Sequence, residues 1–266
     1  MTMNILILGT SKTEQKLINL CLKSHLLDHL YTASNKPLEN IPNIEYFSYE
    51  DLCQKAKQIQ ADIILVADKK YIQDGAIEIF KKNMLNVISA NKKWFNLESS
   101  RLIAKQLINH YSINNPRVIL APNTFPIVIK TNKPSVSKIA YSMQELVKIR
   151  GTVKGEAYLE EFLCGDEIYL LSLWDGKNVI HFDPTFTLSE VQQERLNLYK
   201  TKLGFMLSDE KADFIGFFTT KLIWAKNDWY VLEYIMHLNE KSDLNTIKPD
   251  FLYLLNSAIY QKLNEI

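Results

Sequence analysis

The first ninety residues alternate short, wholly apolar runs with segments of helical periodicity, and this alternation restricts the fold more than any other feature of the chain. Ile5 to Leu8 and Ile63 to Val66 are apolar at every position, which suits strands buried on both faces rather than one. Leu30 to Ala33 and Ile44 to Phe47 read as two further strands, and Val87 with Ile88 closes the series. Between them, Leu17, Leu20, Cys21 and Ser24 share a helix face at i, i+3, i+4 and i+7. Ser48, followed by Asp51, opens a second helix with Leu52, Ala56 and Ile59 inward, and a third carries Ile77, Phe80 and Met84. Strands separated by helices pair in parallel. The expected class is therefore α/β.

Beyond a linking helix from about Leu97 to Tyr111 the pattern changes. Arg117 to Leu120 and Ile127 to Lys130 read as strands around a proline-containing turn. Glu167 to Trp174 and Asn178 to Phe182 flank Asp175, Gly176 and Lys177, a hairpin signal. Phe214 to Trp224 and Trp229 to Ile235 flank Lys226, Asn227 and Asp228, a second one. With helices near Ser142 to Lys148, Leu188 to Leu203 and Phe251 to Leu263, the second part is α+β and largely antiparallel.

Composition removes several classes of function. The chain has 266 residues, enough for two domains, and 31 basic against 30 acidic residues leave a net charge of +1. That balance gives no electrostatic case for a nucleic-acid or anionic-membrane partner. No apolar run approaches the roughly 20 residues of a membrane helix. The opening MTMNILILGTSKTEQ lacks a signal-peptide layout, so a cytoplasmic protein is expected. Cys21, Cys53 and Cys164 suggest neither a disulfide framework nor a zinc site. Only 8 glycines are present, so there are few places to close backbone amides around phosphate.

Several collinear segments resemble phosphoribosylamine–glycine ligase, a member of the ATP-grasp superfamily: NILILG, ADIILVADKKYIQDG, NVISANKKWFNLESSRLIAK, FPIVIK, LEEFLCGDE with WDGKNVI, DFIGFFTTKLIW, YVLEY and PDFLYLLNSAIYQKLNEI. The resemblance implies a parallel, Rossmann-like N-terminal domain over about 1–92. It also implies a two-lobed ATP-grasp core over 93–266, its small lobe near 117–163. It further implies ATP with Mg²⁺ as cofactor. An ATP-grasp ligase phosphorylates a carboxylate, and an amine then attacks the acyl phosphate. Catalysis of such a step is mainly positioning and charge neutralisation.

Taken alone, Lys130 is a strand-end lysine with its ammonium in water; the resemblance puts it on the α- and β-phosphates. Arg101 stands where the family has a phosphate-contacting lysine, with a planar fork in place of a point charge. LEEFLCGDE resembles the adenine–ribose segment. There Glu160 would accept from the adenine amino group, the backbone of Glu161 and Leu163 would read the adenine edge, and Glu167 would take the ribose hydroxyls. Glu233 would hold Mg²⁺.

The departures point the other way. The family's glycine-rich first turn is reduced to Gly9, and Ser11 with Glu14 has capping-box spacing. Ala67, Asp68 and Lys69 replace a substrate-side Gly-Pro-Glu. Past Lys130 the family's glycine-rich lid gives way to a segment with Pro134 and no glycine, leaving Lys133 and Lys138 as point charges. The family's Asn-Thr-Gly-Gly-Met-Gly loop after the first hairpin has no counterpart. The second metal ligand, an asparagine two residues past the glutamate, is replaced by Ile235 on the same strand face. The sequence stops where the family continues into a C-terminal domain, so a shortened version is expected. None of the five histidines is assigned catalysis. The expected protein is thus a shortened, degenerate relative: it binds adenine nucleotide weakly, Mg²⁺ strengthens that binding only modestly, and the parent reaction is lost. The alternative is a working ATP-dependent carboxylate–amine ligase. A homodimer is the assembly expected if one forms.

Overall fold

The structure, a computed structural model, describes residues 2–9, 11–131 and 137–266. Strands β1 (Met3–Leu8), β2 (Leu27–Ala33), β3 (Ile63–Val66) and β4 (Val87–Ile88) form a parallel sheet in the order β2-β1-β3-β4. Helices α1 (Lys12–Leu22), α2 (Tyr49–Gln58), α3 (Lys69–Gln73) and α4 (Ala76–Lys82) connect them. The uninterrupted apolar runs have the expected cause. Ile5 and Ile7 face one core and Leu6 and Leu8 another, so both faces of β1 are buried.

Three expected elements differ. No strand forms over Ile44 to Phe47; Asn43 makes an isolated bridge to Thr32. The Phe47 N–H donates instead to the Asp51 carboxylate at 3.0 Å, while Ser48 Oγ accepts from the Asp51 N–H at 3.1 Å. This reciprocal cap starts α2 and uses the backbone groups a strand would need. The third helix divides at Gly75, whose φ of 80° suits glycine, and it ends before the exposed Met84. The linking helix is two helices, α5 (Lys92–Ser99) and α6 (Arg101–His110), meeting at Ser100.

The rest of the chain builds two antiparallel sheets. β5 (Val118–Ile119), β6 (Ile127–Thr131), β7 (Ser137–Ala140) and β8 (Ala157–Glu161) order as β5-β8-β6-β7, with α7 (Met143–Thr152) packed on them. β9 (Glu167–Trp174), β10 (Val179–Phe182), β11 (Gly216–Ala225) and β12 (Asp228–Ile235) order as β10-β9-β11-β12. The β11–β12 hairpin turns through Lys226 and Asn227, with φ of 52° and 60°, the two left-handed residues of a type I′ turn. α8 (Glu190–Asp209) and α9 (Phe251–Ile259) complete the fold.

The parallel sheet and the β9–β12 sheet share their cores. One cluster joins Leu6, Leu8, Ile64 and Val66 to Trp174, Phe218, Leu222 and Trp229, and another joins Ile5 and Ile7 to Leu171, Leu173, Phe217 and α9. The smaller sheet has its own core of Ile127, Ile129, Ala140, Leu146 and Leu159. It is therefore a separate lobe, set over the large sheet with a cleft between. Among the described residues no helix is long and apolar enough to cross a membrane.

Candidate functional site

The cleft's small-lobe wall follows from strand register. β6 and β8 pair with Val128 opposite Glu160 and Lys130 opposite Tyr158, so these four side chains share one face. The other face sends Ile127, Ile129 and Leu159 into the small core. β12 forms the facing wall, with Glu233 opposite Lys221 and Ile235 opposite Thr219. α6 closes a third side with Arg101 and Lys105, one turn apart, between the buried Ala104 and Ile108. Together they line a cavity of about 580 Å³, a size typical of small-molecule sites.

The charged groups of the cleft are already paired with one another. Glu160, 1% exposed, lies between Lys130 Nζ at 2.7 Å and Lys105 Nζ at 2.9 Å. Lys105 also donates to Asn115 Oδ1 at 2.6 Å and to the Pro116 carbonyl. Lys130 Nζ reaches the Leu232 carbonyl across the cleft at 3.5 Å. Burial holds the Lys130 ammonium below the usual lysine range, partly offset by the Glu160 charge. Glu233 stands between Arg101 at 3.7 Å and Lys241 at 3.4 Å. Glu98 accepts from the Met236 N–H at 2.7 Å and pairs with His237 Nδ1 at 2.8 Å, fastening the end of β12 to α5.

Of the residues singled out in the sequence, Arg101, Lys130, Glu160 and Glu233 meet in this cleft. Lys69 and Ile235 also line it, whereas Lys138, Glu161, Leu163 and Glu167 do not. Lys138 is paired with Ile129, on the sheet face away from Lys130. Lys133 and Pro134 fall outside the described residues. Glu161 alternates to the face opposite Glu160 and pairs with Lys226, and Leu163 packs with Ile223 and Ala225. Glu167 is bonded to Lys221 at 2.8 Å; burial alone would lower that lysine's pKa, but the bond to Glu167 and its charge raise it overall. The sequence reading missed Lys105, Glu98, Lys241 and the pairing of His237. Only Lys105 carried a usable signal, its position one turn after Arg101.

A divalent cation does not fit the donor set at Glu233. The nearest charged groups are two cations, and Ile235, 5% exposed, holds the next position on that face. Among the described residues no group of three His, Cys, Asp or Glu side chains is placed to hold a metal ion.

A second crevice, of about 510 Å³, opens at the C-terminal ends of β1 and β3, lined by Gly9, Glu14, Tyr46, Asp68 and Tyr71 among others. Here the strand order reverses, the usual ligand position in such sheets. The box expected of Ser11 and Glu14 closes through side chains. Ser11 Oγ accepts from the Thr13 N–H at 3.2 Å and donates to the buried Glu14 carboxylate. That carboxylate stands where an anion would approach the helix N-terminus. Gly9, at φ 105°, makes room for it: a Cβ there would lie 2.7 Å from Glu14 Oε1. Gly9→Ala is expected to destabilise the fold by about 2 kcal/mol, and Glu14→Ala in the same chain should return part of that loss. Urea denaturation measures both. An unchanged midpoint in Gly9→Ala would show that the carboxylate does not need the space.

The two-lobed core behind a parallel domain defines the chain as an ATP-grasp fold. Its structure superposes with a TM-score of 0.76 on phosphoribosylamine–glycine ligase from Thermotoga maritima, at 16% identity, covering 97% of this chain and 75% of that one. D-alanine–D-alanine ligase from Bacillus anthracis, solved with ATP, superposes with a TM-score of 0.64 at 18% identity over 100% of both chains. Within this class the chain is similar in sequence to phosphoribosylamine–glycine ligase along nearly its whole length. It is 24% identical to the Fusobacterium nucleatum ligase over 319 residues, covering 99% of this chain and 75% of that one. The Clostridium acetobutylicum ligase is also 24% identical, over 323 residues, with 99% and 76% covered. No protein-family model matches the chain.

Proposed function

We propose that this protein binds an adenine nucleotide in the cleft between its lobes, weakly and with little dependence on Mg²⁺, and no longer carries out its relatives' carboxylate–amine ligation. The observation that carries this reading is Glu233, flanked by Arg101 and Lys241 with Ile235 beside it on the same face. Protein cations there answer the carboxylate's charge in place of a metal.

In this reading the functional core is 93–266, with its small lobe at 117–163, and 1–92 is a separate N-terminal domain. Arg101, Lys105 and Lys130 face the phosphates. Glu160 accepts from the adenine amino group. The backbone of Glu161 and Leu163 and the Glu167 carboxylate lie outside this cavity. They meet the adenine edge and the ribose hydroxyls only where the nucleotide extends past it along the β8–β9 connection. Nucleotide entry is an exchange of partners. Phosphate takes the two ammonium groups from Glu160, and the freed carboxylate needs the adenine amino group to replace them. Giving up two buried ion pairs costs affinity, so binding is expected at millimolar concentrations. The same exchange makes ATP, ADP and AMP close in affinity, because the adenine and ribose contacts are common to all three.

Thermal-shift titration with the three nucleotides, with and without Mg²⁺, checks this. Ligand at 100 times its dissociation constant stabilises the fold by about 2.7 kcal/mol. A strong shift with Mg-ATP alone at micromolar levels would reject the reading. Phosphate release with a panel of amines and carboxylates, abolished by Lys130→Ala and Glu233→Gln, would establish the working ligase instead.

A further inference from the structure

Three buried oxygens in the cleft make no aligned hydrogen bond among the described residues: both carboxylate oxygens of Glu160 and the hydroxyl of Tyr158. For Glu160 the cause is plain, because Lys130 and Lys105 meet it as ion pairs at 2.7 and 2.9 Å. The Tyr158 hydroxyl has no such compensation, and a buried hydroxyl left unbonded costs stability. Tyr158 stands two residues before Glu160 on β8 and on the same face, about 7 Å along the strand. A phenol leaning along the strand spans that gap. Burial first, then the Glu160 charge, holds its pKa above the usual tyrosine range, with Arg101 partly opposing. The hydroxyl is therefore a protonated donor at neutral pH, close enough to the carboxylate to feel its charge.

Lys105, Lys130, Tyr158 and Glu160 all line the cavity, so an anion entering it competes with Glu160 for the two ammonium groups. A buried carboxylate abandoned by its cations needs other donors. The adenine amino group supplies one oxygen, and the phenol is the group placed to supply the other. We propose that Tyr158 is a positioning residue that stands by for Glu160: its hydroxyl turns onto the carboxylate when phosphate draws the lysines away. The idle hydroxyl costs the empty protein stability and returns it as affinity in the occupied one. What draws the lysines away rests on the nucleotide reading. The exchange itself can be forced without any ligand, by removing one ammonium group.

Lys130→Met keeps an apolar stem and removes the charge. In the native background Tyr158→Phe should leave the melting temperature unchanged or raise it by about 2 °C, because only an unbonded hydroxyl is lost. In the Lys130→Met background the same change should lower it by roughly 4 °C, because there the hydroxyl holds Glu160. A tyrosine that only packs would give the same sign in both backgrounds. Ligand-observed NMR titration is the second measurement, made without altering Lys130. Tyr158→Phe should weaken AMP binding about fivefold and leave adenosine, which has no phosphate to draw the lysines, within about twofold. Equal shifts in both backgrounds overturn the proposal, and so does AMP binding that is indifferent to Tyr158. If the native protein binds neither AMP nor adenosine, the nucleotide reading fails instead, and the sign of the stability cycle alone decides the exchange.

Discussion

Replacing Glu160 by glutamine is expected to cost about 3–5 kcal/mol of folding stability. The carboxylate is the anionic partner shared by two lysines whose side chains are 9% and 11% exposed. Neutralising it keeps the volume but leaves two ammonium groups desolvated and repelling each other. The strands would hold them there, because Lys130 is fixed by its register opposite Tyr158 and Lys105 by its bonds to Asn115 and Pro116. Glu161, the next residue, is the internal control. Its partner Lys226 is largely in solvent, so Glu161→Gln is expected to cost at most about 1 kcal/mol. Guanidinium denaturation of both variants measures the contrast. Equal losses would mean that the buried position confers no special weight, and the account of the cleft as an internally neutralised site would fail.

How far the sequence disclosed this arrangement depended on the range of each interaction. β1 and β3 were legible because burial on both faces writes itself into consecutive residues. The β11–β12 turn was legible because its short polar break stands between two apolar runs. The missing strand at Ile44 to Phe47 shows the limit of that signal: four residues with strand-like composition were diverted by one carboxylate, Asp51, that takes the Phe47 N–H. In the site, Lys130 and Glu160 were each recognised, but their bond to one another was not. It joins residues brought together only by the β6–β8 register. Lys105 was missed for the same reason, since its partner Glu160 lies on another element, β8. Individual charges are visible in a sequence; which of them neutralise each other is decided by tertiary packing.

The connection between β8 and β9 gives the second large effect. Gly165 needs no unusual backbone angle, and what it lacks is room. A Cβ at this position would lie 1.8 Å from the Trp224 carbonyl oxygen and 3.0 Å from its carbon. Those atoms belong to β11, which is held on both sides by β9 and β12, so β11 cannot retreat. The connection itself must lift away. It would then lose the Trp224 N–H bond to the Asp166 carbonyl, at 2.8 Å, and the packing of Leu163 on Ile223 and Ala225. Gly165→Ala is therefore expected to cost about 3 kcal/mol, the upper end for a steric insertion. Because Glu167 follows two residues later, the same change should also loosen its bond to Lys221. Nucleotide affinity should then fall along with stability. Gly151, in α7 with nothing within 4 Å of its would-be Cβ, marks the opposite case. There alanine removes only backbone freedom from the unfolded chain and should stabilise by about 0.4–1 kcal/mol. Denaturation midpoints of the two variants should move in opposite directions. A Gly165→Ala chain as stable as the native one would mean that the β8–β9 connection is not seated against β11.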